Sequence, residues 1–255
     1  MNQIQPRLKA VLELLDGLKV KNIKNYLDIG CGDGYFTYLI SLKLGASEVY
    51  GVDINKERLA LAGEKGIKCF LVDLNTESLP LPNNSVDVVT SLEVIEHLIN
   101  PDNMLQEVHR VLKPTGYLII TTPNLASYIN RGLLLFGFQP TYLEVSTEFE
   151  VPRLLGHKNL SKPSGHLRLY TLNALKFLLK MHHFEIVRVK GSTSTYSIPK
   201  PVRFMDKIIG SLSPSLARII IIVAKKGIAN FLLVLTEDDG QRTVKSRRSK
   251  TSSGV

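Results

Sequence analysis

Residues 26–34, Tyr-Leu-Asp-Ile-Gly-Cys-Gly-Asp-Gly, end a short apolar run at Asp28 and then place glycines at 30, 32 and 34. A helix-compatible stretch, Tyr35 to Leu44, follows. Such a strand-to-helix turn, bare of side chains, lets a ligand approach the backbone and meet amide N–H groups at a helix N-terminus. The Gly-x-Gly-x-Gly spacing departs from the Gly-x-Gly-x-x-Gly of dinucleotide-binding turns. Two more aspartates close the next apolar runs, Asp53 after Glu48–Val52 and Asp73 after Ile67–Val72. A carboxylate that accepts two hydrogen bonds suits a ribose diol, and Asp53 is placed for one. Asp73 is placed to accept from an exocyclic amine, and Asp28 favours a positively charged ligand. A single strand-end aspartate is most often a turn former or helix cap. Three on consecutive strands beside a glycine turn point instead to a ligand site beyond the carboxyl ends of a sheet.

The elements that must position these groups follow from periodicity. Residues 7–18 read as a helix, and Tyr26–Ile29 as a buried strand. Asn55 reads as the cap of a helix after the second strand. Val86–Thr90 is a fourth strand, Asp102–Leu112 a helix, Lys113–Gly116 a turn and Tyr117–Thr122 a fifth strand. Strands alternating with helices at this spacing predict parallel β-α-β units. The rhythm breaks at Pro123: residues 123–168 form a long insertion of the kind that serves as a lid or binding loop. Helix Thr171–Met181 and strand Phe184–Lys190 resume it. A second insertion, 191–215, precedes strand Arg218–Lys225, and Phe231–Leu235 reads as a further strand or an apolar docking segment.

At 255 residues and 44% hydrophobic, the chain predicts one domain with a sizeable core. We assign residues 1–236 to it and 237–255 to a disordered basic tail. The net charge of +9 invites a nucleic-acid partner, but Arg242, Lys245, Arg247, Arg248 and Lys250 supply five of those charges. The body is left with about +4, modest for its size, so nucleic acid is not expected. Two cysteines, Cys31 and Cys69, fit a reducing interior. The longest apolar run, Ile219–Ala224, is far short of the roughly 18 residues a membrane span needs. The expected location is the cytoplasm. Peripheral membrane contact through the mixed basic and apolar stretch 198–215, or through the tail, stays open, with packing of 198–215 against the core the favoured role. Oligomeric state is not legible.

With these stretches in hand, the chain resembles the class I S-adenosylmethionine-dependent methyltransferases, densely over 24–125 and more loosely over 165–225. The stretches that carry the resemblance are Leu-Asp-Ile-Gly-Cys-Gly-Asp-Gly (27–34), Val-Tyr-Gly-Val-Asp (49–53), Val-Asp-Leu (72–74), Asn-Ser-Val-Asp-Val-Val (84–89), Ser-Leu-Glu-Val-Ile-Glu-His-Leu (91–98) and Val-Leu-Lys-Pro-Thr-Gly-Tyr-Leu (111–118). It implies a Rossmann-like α/β fold: a seven-stranded, mostly parallel sheet with helices on both faces and the last strand antiparallel. It also implies a cofactor held by Asp28, Gly30, Cys31, Gly32, Gly34, Asp53, Ile54, Asp73, Leu74 and Ser91. The segment 91–98 lacks the Asn/Asp-Pro-Pro-aromatic turn usual in relatives that methylate exocyclic nitrogens of bases or amide side chains, and looks like the quinone-biosynthesis O-methyltransferases. The implied reaction is methyl transfer to a hydroxyl of a small-molecule, glycan or lipid-linked acceptor.

For that reaction His97 is the first candidate base and His166, from the insertion, the second. Glu93, Glu96 and His97 stand at i, i+3 and i+4, so a helical turn would bring them together. With His166 they form a set able to hold a divalent ion, as in the small-RNA 2′-O-methyltransferases. The favoured reading has no metal. A metal-assisted RNA 2′-O-methyltransferase and a non-catalytic S-adenosylmethionine-binding protein are the alternatives.

Overall fold

The computed structural model describes residues 5–17, 22–149, 163–193 and 200–227. The expected segment Phe231–Leu235 and the basic tail lie outside them. The elements run α1 (Pro6–Asp16), β1 (Asn25–Ile29), α2 (Tyr35–Leu44), β2 (Glu48–Asp53), α3 (Lys56–Gly63), β3 (Lys68–Leu71), β4 (Val86–Leu92), a 3-10 turn (Ile95–His97), α4 (Pro101–Val111), β5 (Leu112–Pro123), α5 (Tyr128–Leu135), α6 (Leu172–Met181), β6 (Phe184–Ser192), α7 (Lys200–Leu212) and β7 (Ile219–Lys226).

One seven-stranded sheet has the order β3-β2-β1-β4-β5-β7-β6. All pairs from β3 to β5 are parallel, and β7 alone runs against its neighbours β5 and β6. The antiparallel last strand is as expected. Alternate side chains of the central strands feed two cores. Val88, Ile119 and Ile221 meet α1 and α2 through Leu8, Val11, Leu14 and Ile40. Val89, Leu118, Ile120 and Ile222 meet α4 and α6 through Met104, Leu105, Leu175 and Leu179. Covering both faces is what makes these strands read as near-continuous apolar runs.

Asn55 caps α3 as expected, its side chain accepting from the Arg58 amide at 2.8 Å. The turn expected at Lys113–Gly116 is a bulge within β5. Val86 pairs with Leu112 and Val88 with Tyr117, so five steps on β5 face two on β4. Within the insertion 191–215, β6 runs on to Ser192 and α7 occupies Lys200–Leu212.

The chain winds outward from β1 to β3 and then crosses to β4, so the topological switch point lies between the carboxyl ends of β1 and β4. The two turns that leave these ends are in contact. A Cβ on Gly30, at φ +69°, would come within 2.3 Å of Val94 Cγ2. A left-handed conformation costs a non-glycine residue about 1–2 kcal/mol before any clash. Gly30→Ala is therefore expected to lower the melting temperature by at least about 4 °C. Gly63→Ala, at the end of α3 with nothing within 4 Å, should leave it unchanged or raise it. Thermal unfolding of the two variants checks the pair.

Candidate active site at the carboxyl edge of the sheet

Asp28, at the end of β1, is almost fully buried, 3% exposed. Thr37 Oγ1 donates to one of its oxygens at 2.6 Å and Thr90 Oγ1 to the other at 2.5 Å. Because the Thr90 hydrogen is used on Asp28, the Tyr26 hydroxyl at 2.7 Å must donate to Thr90. Burial pushes the Asp28 carboxyl up to about 6, against the pull of the two threonines. The charge therefore reaches a ligand from inside the wall.

The glycine turn is held from within. The Gly30 and Cys31 amides donate to the Val52 carbonyl, Gly34 to the Cys31 carbonyl and Gly32 to Asp53 Oδ2 at 2.8 Å. Four of the amides expected to meet a ligand are thus already bonded. What the turn offers instead is bare backbone with Gly30, Gly32 and Gly34 all at positive φ. It leads into a helix whose cap residue, Gly34, has no side chain, the first-turn Tyr35 amide donating instead to Asp33 Oδ1 at 3.1 Å. Cys31 is buried and its thiol is pushed up by burial, which fits a packing residue.

Asp53 accepts from the Gly32 and Asn55 amides, one on each oxygen, and each oxygen retains a second lone pair. Ile54 beside it is exposed. Asp73 Oδ1 accepts from the backbone and side chain of Asn75. Two expected ligand contacts face the wrong way with their side chains. Leu74 is buried in the core. The Ser91 hydroxyl is fully buried against Met104 Sδ at 3.7 Å, on the same face of β4 as Val89. Only their main chain is left to meet a ligand.

The turn after β4 separates the residues that i, i+3 spacing would unite. Glu93 takes φ +59°, outside the 3-10 turn, and its carboxylate goes to Thr121 Oγ1 at 2.8 Å and Arg7 Nη1 at 3.2 Å. It is not part of the cluster of Glu96, His97 and His166, whose ligating atoms lie within 4.8 Å of one another. Glu96 is fully buried: Thr122 Oγ1 donates to Oε2 at 3.0 Å, and Oε1 has no partner. Burial, with the Glu93 charge behind it, pushes the Glu96 carboxyl well above the usual range.

His166 arrives from 68 residues beyond the turn's Leu98 because its segment docks there. The Leu167 and Arg168 amides both donate to the Glu96 carbonyl, at 2.8 and 3.1 Å. Glu144 collects the amides of Ser164, Gly165 and His166 and the Ser164 hydroxyl. The His97 and His166 rings then lie 4.8 Å apart. The Nδ1 of His97 is 3.0 Å from the Gly165 carbonyl, and that of His166 3.2 Å from the Tyr142 carbonyl. A carbonyl only accepts, so in the neutral rings the proton sits on Nδ1 and the basic lone pair on Nε2.

The methyltransferase domain family matches residues 27–120, the span that holds the glycine turn, the strand-end acids and Glu96-His97. A "Probable S-adenosylmethionine-dependent methyltransferase" of Mycobacterium tuberculosis is 35% identical over 105 residues, 41% of this chain and 38% of that one. The chain thus matches well under half the length of that relative. The ubiquinone biosynthesis O-methyltransferase of Aliivibrio fischeri is 30% identical over 210 residues, 79% of this chain and 82% of that protein. The chain belongs to the class I S-adenosylmethionine-dependent methyltransferases. Solved structures agree on the fold. A methyltransferase from Thermotoga maritima superposes with a TM-score of 0.57 at 18% identity, covering 86% of this chain and 89% of that one. One from Mesorhizobium loti gives 0.53 at 19%, covering 85% and 96%. S-adenosylmethionine is accordingly the cofactor of this methyltransferase.

Sequence reading missed Arg7, Thr37, Thr90 and Glu144. Arg7 comes from α1, its Nε is buried without a partner, and its charge acts on Asp28, Glu93 and Glu96 alike. Nothing local marks it, since its partners lie far along the chain. Two outcomes are expected. Asp53→Ala should weaken S-adenosylmethionine binding by more than about tenfold in fluorescence titration, a change of about 1.4 kcal/mol. Asp28 should set a pH slope. It titrates near 3.9 unfolded and about 6 folded, so between those values the folded state holds the extra proton. Stability of the ligand-free methyltransferase should then fall as pH rises from about 4 to 6, by up to about 3 kcal/mol relative to Asp28→Asn. Parallel curves for the two proteins in denaturant unfolding would remove the assignment.

Proposed function

We propose that this methyltransferase transfers the methyl group of S-adenosylmethionine to a hydroxyl oxygen of a small-molecule, glycan or lipid-linked acceptor, with His97 as the base. The observation that carries the reading is the pair of imidazoles over a buried carboxyl, with Nδ1 of each ring facing a carbonyl. The Aliivibrio fischeri relative is itself named an O-methyltransferase. In the proposed seat, Asp53 accepts from the ribose hydroxyls and Asp73 from the adenine amine beside Ile54. The main chain of Leu74 and Ser91 borders the pocket, and the glycine turn with Asp28 takes the amino-acid end. Arg7 is the cation that the carboxylate of that end would meet.

S-adenosylmethionine supplies a methyl group already activated by its sulfonium. Held by Asp53, Asp73, Asp28 and the glycine turn, it would give that methyl group to the acceptor oxygen, the carbon–sulfur electron pair leaving with sulfur as a neutral thioether. The acceptor's proton passes to His97 Nε2. Most of the acceleration comes from holding the three atoms in line. His166, set by Glu144, orients the acceptor beside that ring. A second reading is favoured by Glu96 Oε1, a buried oxygen without a partner. Glu96, His97 and His166 would give a divalent ion one carboxylate and two imidazole donors, and the ion would lower the acceptor's pKa.

The test is transfer of label from S-adenosylmethionine to phenolic, polyprenyl-phenolic and sugar hydroxyls, with and without chelator. The expected result is label on oxygen, insensitive to chelation. His97→Ala should reduce kcat by about a hundredfold or more while cofactor affinity holds. Glu144→Ala should lower kcat by about tenfold through His166 alone. Loss on chelation that Mn²⁺ restores selects the metal-assisted form, and label recovered on nitrogen or carbon overturns the hydroxyl reading.

A further inference from the structure

Beside the candidate site, the same edge of the sheet carries an apolar rim that methyl transfer itself does not use. Pro123 at the end of β5, Ser192 at the end of β6 and Ile219 at the start of β7 are register partners. Thr121 in turn pairs with Leu92 at the end of β4. α5, which leaves β5, and α7, which leads into β7, therefore both stand at the carboxyl edge where Glu96 and His97 lie. They are joined to each other: the Tyr128 hydroxyl on α5 donates to Asp206 Oδ1 on α7 at 2.6 Å, and Arg218 Nε donates to the same oxygen at 3.0 Å. The Tyr128 amide also reaches the Leu216 carbonyl at 3.0 Å.

This joined pair of helices exposes large apolar side chains. Leu134, Leu135 and Phe136 project from the end of α5, and Phe204, Met205 and Leu212 from α7; Leu135, Phe136 and Leu212 are 79%, 74% and 77% exposed. On α7 positions 204, 205, 208 and 212 share one stripe, and the basic positions Lys200, Arg203 and Lys207 fall on the stripe alongside. The acid of the helix, Asp206, is buried in its ion pair with Arg218. An apolar stripe flanked by basic residues is the pattern of a helix that lies in the plane of a membrane interface.

We propose that α7, with the end of α5, docks this methyltransferase on an anionic lipid surface and brings the mouth of the site to the bilayer, where a lipid-linked acceptor resides. Charge selects this occupant over the others. A second copy meeting the same face across a two-fold axis would set Lys200, Arg203 and Lys207 near their own counterparts. The chain's own tail, 237–255, sets five basic residues against Glu237, Asp238 and Asp239, so its net charge bears the same sign and does not draw it onto that face. The proposal rests on the lipid-linked arm of the function above for its purpose, but attachment is measured without turnover.

The experiment is co-sedimentation of the full chain with vesicles of phosphatidylcholine alone and of an equimolar mixture with phosphatidylglycerol. Binding is expected to the mixed vesicles, weakened by salt and by neutral lipid. Phe204→Ser with Leu212→Ser should reduce it by at least about tenfold. Leu135→Ser with Phe136→Ser provides the same test on α5 should the first pair fail to fold, and S-adenosylmethionine affinity equal to wild type certifies each fold. Binding to neither vesicle, binding unmoved by both pairs, or a lipid-free dimer that the substitutions dissolve would each overturn the proposal. Loss of cofactor binding in the wild type would instead overturn the methyltransferase seat and leave the vesicle result standing.

Discussion

One carbonyl oxygen, that of Glu96, organises the acceptor side. It accepts from two successive amides, Leu167 and Arg168, and so fixes a segment some seventy residues away against the turn that follows β4. Arg168 adds bonds from its guanidinium to the carbonyls of Leu98 and Ile99. With that segment docked, Gly165 presents its carbonyl to His97, and His166 comes to lie against the same ring. The Glu96 side chain cannot turn outward, because its main chain is committed on one side and Thr122 holds its carboxyl on the other. A buried carboxyl with one unpartnered oxygen is a costly arrangement. Unpaired buried groups of this kind concentrate where a ligand or proton completes them.

The cofactor side is built on an opposite logic, with its polar groups, Arg7 Nε excepted, satisfied before any ligand arrives. Asp28 has both oxygens bonded, the glycine amides are paired, and Asp53 ties the glycine turn to the end of β2. Such a cradle is rigid and little reorganised on binding. Glu93 joins the two sides. Its left-handed backbone lets its carboxylate reach back to Arg7 and Thr121, so that α1 is pinned across the edge by a mostly buried ion pair. Removing one partner of such a pair typically costs about 3–5 kcal/mol, because the other charge is left uncompensated.

Much of this was legible in the residues. Strands buried on both faces leave continuous apolar runs, and the glycine turn and the aspartates at strand ends mark the switch point without any contact being known. The parity of β4 would also have shown Ser91 on the core face with Val89. What local spacing could not show is a backbone that breaks its own period. The i, i+3, i+4 arrangement of Glu93, Glu96 and His97 assumes a continuous helical turn, and a single positive φ at Glu93 removes one member from the set. Thr37, Thr90, Arg7 and Glu144 were silent for a different reason. Each acts through a tertiary contact, and neither threonine nor arginine on a helix is unusual by type. In α7 the mixed basic and apolar character of 198–215 was legible, but not the buried Asp206–Arg218 pair that ties it to the start of β7.

The claim that carries the account is that cofactor and acceptor machinery meet at one edge of the sheet, between β1 and β4. A crystal structure with S-adenosylhomocysteine bound tests it most directly. The account predicts the ribose hydroxyls on Asp53, the amino-acid end over the glycine turn and the sulfur directed at Glu96, His97 and His166. A nucleoside bound elsewhere, or a sulfur turned away from those three side chains, would contradict it.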